Sequence, residues 1–417
     1  MSKQLRIWLF VLLSTLLTST TLLAEGVITM TTSKAVEGTI SLKIEANGNV
    51  TIDGIKEEPH LGYGYYTLTN QTITIRGDVT ELNCGGNQLT SLDVSDCTAL
   101  IKLDCRHNNL TSLDVSKNTA LTKLESWGNQ LTSLNVSGCT ALKKLDCSGP
   151  KSSYPDNRVG ALTSLDVSGC TSLTDFTCSR NQLTSLDLSS CTALTNLDCS
   201  YNQLTSLKVS GCSALAKLNC SVNQLTSLDL SSCSALAKLD CSVNQLTSLD
   251  LSACSQLNYV DCSANQIKGD AMTQLVASLS TYNSGNEGES GKFIVVSNLA
   301  PEGNVCSKAD VATAHKKNWN SLKRVDWREL LPYEGEDDNL QVGRGVITIK
   351  TTKAIGEVIA LSIKADGGVA IEGVKPFLQP DGHIAHYTLT DQTVVIHGDV
   401  TEFGSHIPVS SATHLQM

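Results

Sequence analysis

The sequence predicts a predominantly β solenoid with short helices. It has about nine coils of 21 residues, flanked by two copies of a small β module and followed by an α/β C-terminal cap. Three observations carry this. One 21-residue sentence is repeated from 89 to 267, and a fixed period in that range outranks local signals. A shorter segment occurs twice, once on each side of the array. Between the array and the second copy, 268–332 replaces the repeat with mixed helical and strand spacing.

Residues 1–24 read as an export signal: Lys3 and Arg6 form the positive end, 7–17 an apolar core, and Ala24 a small residue at the cleavage point. No other apolar run is long enough to span a membrane, so no integral membrane segment is expected after cleavage. Removal takes the formal net charge from −10 to about −12. That balance argues against nucleic acid or an anionic membrane as partner.

Residues 25–78 read as a β module. Ile40, Leu42 and Ile44 alternate, Val50 and Ile52 follow Asn47-Gly48-Asn49, and Leu68, Ile73 and Ile75 come next. Val79, Leu82 and Cys84 already fall on the repeat spacing and run into Asn87. The module is therefore expected to lead directly into the array, 79–267, and to cover its first open edge.

The repeats open at Leu89, Leu110, Leu131, Leu162, Leu183, Leu204, Leu225 and Leu246, and Ile267 opens an incomplete ninth. Every step is 21 residues except Leu131 to Leu162, which is 31 because of the insertion 149–161. One half of each unit reads Leu-x-x-Leu-x-Cys-x-x-Asn-x-Leu, as at Leu100, Leu103, Cys105, Asn108 and Leu110. Alternation around the second leucine predicts a short half-buried strand. The asparagine turns the chain, and its amide is suited to bonding neighbouring coils in a ladder through Asn87, Asn108, Asn129, Asn181, Asn202, Asn223, Asn244 and Asn265. The other half carries apolar residues at positions such as Leu92, Val94 and Cys97. With two inward ribs in each unit, a helix of ordinary length, about 11 residues, does not fit.

On these motifs the segment resembles a bacterial leucine-rich repeat protein with short repeats, akin to surface repeat proteins of Bacteroidetes and more loosely to internalins. The likeness covers roughly 79–330. It implies a secreted or surface-exposed protein that binds other proteins, with no catalytic residues to carry over.

In the cap, 271–279 has helical spacing, 293–296 is strand-like, Ser307 is placed to cap a helix running through Trp319, and 322–327 reads as a strand. Residues 333–342 read as a linker. The module then recurs over 343–403: Gly26-Val27-Ile28-Thr29 returns as Gly345-Val346-Ile347-Thr348, and Gly77-Asp78-Val79-Thr80-Glu81 as Gly398-Asp399-Val400-Thr401-Glu402. Residues 404–417 lack the repeat spacing and read as an irregular tail, either the start of a truncated array or a natural end.

Sixteen cysteines in an exported chain suggest disulfides. Their places in the repeat favour buried thiols instead, since the two arms line opposite walls and bridging needs Cα atoms within about 7 Å. The joint replacement of both cysteines by Asn118 and Ser126 in one unit keeps bridges within a unit as the alternative. Zinc-like pairing is absent, and no cofactor or metal is expected. A row of aspartates at a repeat turn (Asp93, Asp114, Asp166, Asp187, Asp229, Asp250) reads as turn capping before calcium binding.

Outward strand positions carry lysines (Lys102, Lys123, Lys144, Lys217, Lys238) beside acids (Asp104, Glu125, Asp146, Asp198, Asp240, Asp261), and this face is expected to neutralise itself. Candidate partner-binding residues are those that break the pattern with types enriched at hot spots: Arg106, His107, Trp127, Arg180, Tyr201 and Tyr259. Tyr154 and Arg158 join them from the insertion, a loop on a rigid scaffold. No phosphate-cradling or dinucleotide fingerprint occurs, and the chain does not read as an enzyme. The expected function is recognition or adhesion toward a protein, with a host or neighbouring-cell surface protein as the kind of partner. The rival readings are a structural envelope spacer and, third, a carbohydrate-binding module.

Overall fold

The computed structural model describes residues 26–57, 61–150, 160–283, 289–326 and 329–336 in full, and the backbone of seven strands between 346 and 405. The signal, the insertion residues Tyr154 and Arg158, and the tail beyond 405 lie outside the described residues. The chain divides into two units, 1–142 and 143–417, each taken by itself.

The first unit begins with β1 (Val27–Thr32), β2 (Thr39–Ala46), β3 (Thr51–Asp53), β4 (Gly62–Thr67), β5 (Thr72–Arg76), β6 (Val79–Asn83) and β7 (Leu89–Asp93). Alternation buries Ile28 and Met30 of β1, Ile40, Leu42 and Ile44 of β2, and Ile73 and Ile75 of β5 between two sheets. One sheet runs β3-β5-β1-β7, and the other runs β4-β2-β6 and continues into Lys102–Asp104 and Lys123–Glu125. Strand β6 is antiparallel to β2 on one side and parallel to Lys102–Asp104 on the other, with Leu82 opposite Leu103. The module thus supplies both sheets with a partner strand, so neither arm of the first coil starts with an open edge. Asn87 meets the module through Ser41, whose N–H donates to its Oδ1 at 3.0 Å and whose carbonyl accepts from its Nδ2 at 2.7 Å.

In the second unit, Lys144–Asp146, Asp175–Thr177, Asn196–Asp198, Lys217–Asn219, Lys238–Asp240 and Tyr259–Asp261 pair in parallel and in register, Leu218 opposite Leu239 for example. The asparagine between them is the stitch. Asn244 Nδ2 donates to Cys220 O of the preceding coil at 3.0 Å and to Cys241 O of its own at 3.1 Å, while Oδ1 accepts from Leu225 N–H at 3.0 Å. The residue before the asparagine is left-handed: Arg180, Tyr201, Val222, Val243 and Ala264 here and His107 in the first unit, all with φ between 53° and 58°, and Gly86 and Gly128, at 71° and 72°, before Asn87 and Asn129. The insertion leaves the coil at Gly149 and re-enters at Gly160, whose N–H groups donate to Ser179 O and Arg180 O. A Cβ on Gly160 would stand 2.1 Å from Asn181 Oδ1, and one on Gly149 would stand 1.8 Å from Arg180 O, so only glycines let the loop ends close.

The cap contains a helix Asp270–Ser278, a strand Gly291–Ser297 parallel to Tyr259–Asp261, a helix Lys308–Lys316 and a strand Trp319–Arg324. Ser307 and Asp310 form a reciprocal capping box. The sequence reading carried that helix through Trp319 and began the strand at 322; the helix instead ends at Lys316. Asn318 turns left-handed (φ 63°), and Trp319 opens the strand, buried, with Nε1 donating to Ser280 O at 2.8 Å. A second correction concerns 333–336, read as the start of a linker. Tyr333 Oη donates to Cys306 O at 3.3 Å, Glu336 N–H donates to the same carbonyl at 2.9 Å, and Lys308 N–H donates to Glu336 O, so this segment belongs to the cap. Asn304 supplies the last rung of the ladder, accepting from Ile267 N–H and donating to Cys262 O, both at 2.8 Å.

Within 346–405, Val346–Lys350, Thr393–His397 and Ala370–Glu372 form one sheet, and Val374–Phe377, Ala385–Leu389, Val358–Ala365 and Val400–Ser405 form another. The pairings repeat those of β1 with β5, β5 with β3, β2 with β4 and β2 with β6, so the duplication read in the sequence is a duplication of topology.

Candidate functional site

Strand residues alternate between core and solvent, so each coil offers two outward side chains per inner strand. In the first unit these pair as the sequence suggested. Glu81 takes Lys43 at 2.6 Å and Lys102 at 3.2 Å, Lys123 meets Glu125 at 2.9 Å, and Arg106 meets Asp104 at 3.3 Å. The Lys43 hydrogen bond is the main reason that the Glu81 carboxyl is held low. Trp127 is half-buried, packed edge-on against His107 with ring centroids 4.0 Å apart, and the Arg106 guanidinium lies 5.8 Å from its ring. Three of the candidates are therefore one cluster. Strand β4 adds Tyr63 and Tyr65, 59% and 74% exposed on one face, which the sequence reading missed although Gly-Tyr-Gly-Tyr alternates in plain view.

The second unit holds a groove of about 440 Å³ on its strand face. Its lining comes in two rows, Asp175, Asn196, Lys217, Lys238 and Tyr259, then Thr177, Asp198, Asn219 and Asp240, over a floor of Phe176, Leu197, Leu218 and Leu239. Here the expected pairing of lysines with acids fails. Asp198 and Asp240 each turn Oδ1 to the backbone N–H and the hydroxyl of the serine two residues on, at 2.6–3.1 Å. Asp261 is fully buried, caps Ser263 likewise, and receives Arg324 Nη2 at 2.6 Å from the cap. Burial, and then the neighbouring Asp261, pushes the Asp240 carboxyl up to about 6. Among the described residues Lys217 and Lys238 make no ion pair, and both are exposed.

Arg180 lies over Tyr201 at 4.6 Å, so these two candidates are brought together. Tyr259 is not with them. It stands three strands from Asn196–Asp198, on the order of 14 Å at the usual strand spacing, and receives Arg324 Nη2 on its hydroxyl at 3.2 Å. Nothing in the sequence flagged Arg324, which meets an aspartate 63 residues away.

All sixteen cysteines are buried free thiols. On the second arm they act as donors between coils: Cys139 Sγ contacts Val115 O at 3.2 Å and Cys212 Sγ contacts Leu188 O at 3.4 Å. Asn118 fills the same post, donating to Val94 O and Cys97 O at 2.9 and 2.8 Å, which explains why it can stand where other coils carry cysteine. The aspartate row caps its own turns: Asp93, Asp114, Asp166, Asp187, Asp229 and Asp250 each accept the N–H two residues on.

Short parallel strands in a 21-residue register, an asparagine stitching each turn and a closed apolar interior leave one description. The coils are those of a leucine-rich repeat solenoid. No family model matches the chain, and no curated protein does. Among solved structures it is similar to the functional domain of InlJ from Listeria monocytogenes, which includes a cysteine ladder, at 24% identity over 78% of this chain and 87% of that one, with a TM-score of 0.38. The internalin inlF of the same organism matches at 23% identity over 60% and 83% of the two chains, TM-score 0.38. The leucine-rich repeat domain of APL1B matches at 22% over 45% and 65%, TM-score 0.35.

Proposed function

We propose that this protein is an exported, non-enzymatic recognition scaffold that binds a protein partner, of the kind displayed on a host or neighbouring-cell surface, through the strand face of its repeats. The observation that carries the reading is the groove of the second unit, whose outward residues vary along the coils over an apolar floor of Phe176, Leu197, Leu218 and Leu239. A repeated scaffold gains specificity where it varies, and mechanism here is shape and charge complementarity without bond chemistry. The Arg106–His107–Trp127 cluster and the Arg180–Tyr201 pair supply rigid aromatic and guanidinium surface of the types enriched at hot spots. No helix among the described residues is long and apolar enough to cross a membrane.

The test is capture from cell-surface and matrix extracts by the wild-type chain and by an Asn196→Trp/Asn219→Trp variant that fills the groove, with Ser206→Trp on the other arm as control. A protein retained by wild type and control but lost by the groove variant supports the proposal. Equal retention by all three refutes the groove as the site and returns the spacer reading to first place. The exposed pair Tyr63 and Tyr65 favours a second reading, stacking on sugar rings; glycan-array binding abolished by Tyr63→Ala/Tyr65→Ala would establish it.

A further inference from the structure

The groove has one feature that its recognition role alone does not require. Lys217 and Lys238 face each other in register on adjacent parallel strands, which lie about 4.8 Å apart. Like charges directly opposite are destabilising, and among the described residues neither ammonium has a carboxylate within ion-pair distance. Lys292, in register with Tyr259 on the next strand of the cap, extends the row, also exposed and without an ion pair among the described residues. The acids that might have neutralised the row are committed elsewhere: Asp198 and Asp240 to their serines, Asp261 to Ser263 and Arg324.

We infer that this lysine row is the seat for an acidic segment of the partner protein, with carboxylates bridging Lys217 and Lys238 and reaching Lys292 past the Tyr259 ring. The inference rests on the groove being the recognition surface and specifies the chemistry of what enters it. The chain's net charge of −10 does not oppose this, because charges beyond a Debye length of about 8–10 Å are screened at physiological salt and the local row decides. Carboxylates entering a half-buried groove would relieve the lysine–lysine repulsion already present in the free protein. The association is therefore expected to weaken with added salt.

The probe is a fluorescein-labelled decaglutamate peptide, titrated by anisotropy against the full chain at low and physiological salt. Decalysine, inorganic phosphate and a sulfated polysaccharide are run beside it. Saturable binding of decaglutamate is expected, at least tenfold weaker in Lys217→Gln/Lys238→Gln/Lys292→Gln and unchanged in Lys208→Gln, whose lysine pairs with Asp187 on the other arm. Circular dichroism confirms that the exposed substitutions leave the fold intact. Absence of decaglutamate binding, equal binding by the triple variant, or preference for the sulfated polysaccharide overturns the inference. If the captured protein partner still binds the triple variant but not the groove-filling variant, the acidic seat falls while groove recognition stands.

Discussion

Replacing Asn244 by alanine removes a whole stitch from the second unit. Its side chain is 7% exposed; Oδ1 accepts from Leu225 N–H at 3.0 Å and Nδ2 donates to Cys220 O and Cys241 O at 3.0 and 3.1 Å, sharing a proton with Ser242 O at 3.2 Å, so three protons are engaged in hydrogen bonds. At a net worth of about 1 kcal/mol per hydrogen bond, their loss costs about 3 kcal/mol. The Leu225 N–H is left in a residue with no solvent exposure, which raises the figure toward about 4 kcal/mol. Asn196→Ala is the internal control. That asparagine lies half-buried on the groove face and donates to Asp175 Oδ1 at 2.8 Å, where water can replace the bond, so its loss costs under about 1 kcal/mol. Urea unfolding followed by far-ultraviolet circular dichroism under reducing conditions measures both. Because repeat stability is a sum of neighbouring contacts, the Asn244→Ala transition should also broaden if the coil uncouples. Equal effects of the two substitutions, or a loss below about 1 kcal/mol at Asn244, would refute the stitch as the source of inter-coil stability.

Three further outcomes follow from the same geometry. Arg324→Met strands the buried Asp261 carboxylate and should lower stability by about 3–5 kcal/mol at pH 7, read as a fall in urea midpoint. Asp240 titrates near 6 in the fold and lower when unfolded, so its charge opposes folding above pH 6. Stability should rise by about 1 kcal/mol between pH 7 and pH 5, and Asp240→Asn should flatten that slope while stabilising the protein at pH 7. Burial pushes the second-arm thiols Cys97, Cys139, Cys233 and Cys254 up to about 11, so a thiol reagent at pH 8 should label fewer than one cysteine per native chain and all sixteen in denaturant; many labelled native thiols would contradict the packing.

The repeat made most of the fold legible. Leucine spacing placed the inner strands and asparagine spacing placed the ladder, because both are set by local periodicity. The cap was less legible, since its helix length is decided by Asn318 turning left-handed and by Trp319 finding the Ser280 carbonyl, neither of which leaves a pattern. The same holds for Asn304, which completes the ladder from a segment with no repeat in it. For the site, the exceptions to the repeat that the sequence picked out as candidates lie together in two groups, Arg180 with Tyr201 and Arg106 and His107 with Trp127, a proximity that the one-dimensional pattern does not state. The lysine row was visible but misread: composition put acids beside it, and only the structure shows those acids turned to their own serines.

The most direct test of groove recognition is hydrogen–deuterium exchange of the chain with and without its captured partner. The account predicts protection confined to the coil segments carrying Asp175–Thr177, Asn196–Asp198, Lys217–Asn219, Lys238–Asp240 and Tyr259–Asp261. Protection centred on the opposite arm, at Ser185–Asp187 and Ser206–Lys208, with the groove strands unchanged, would contradict it.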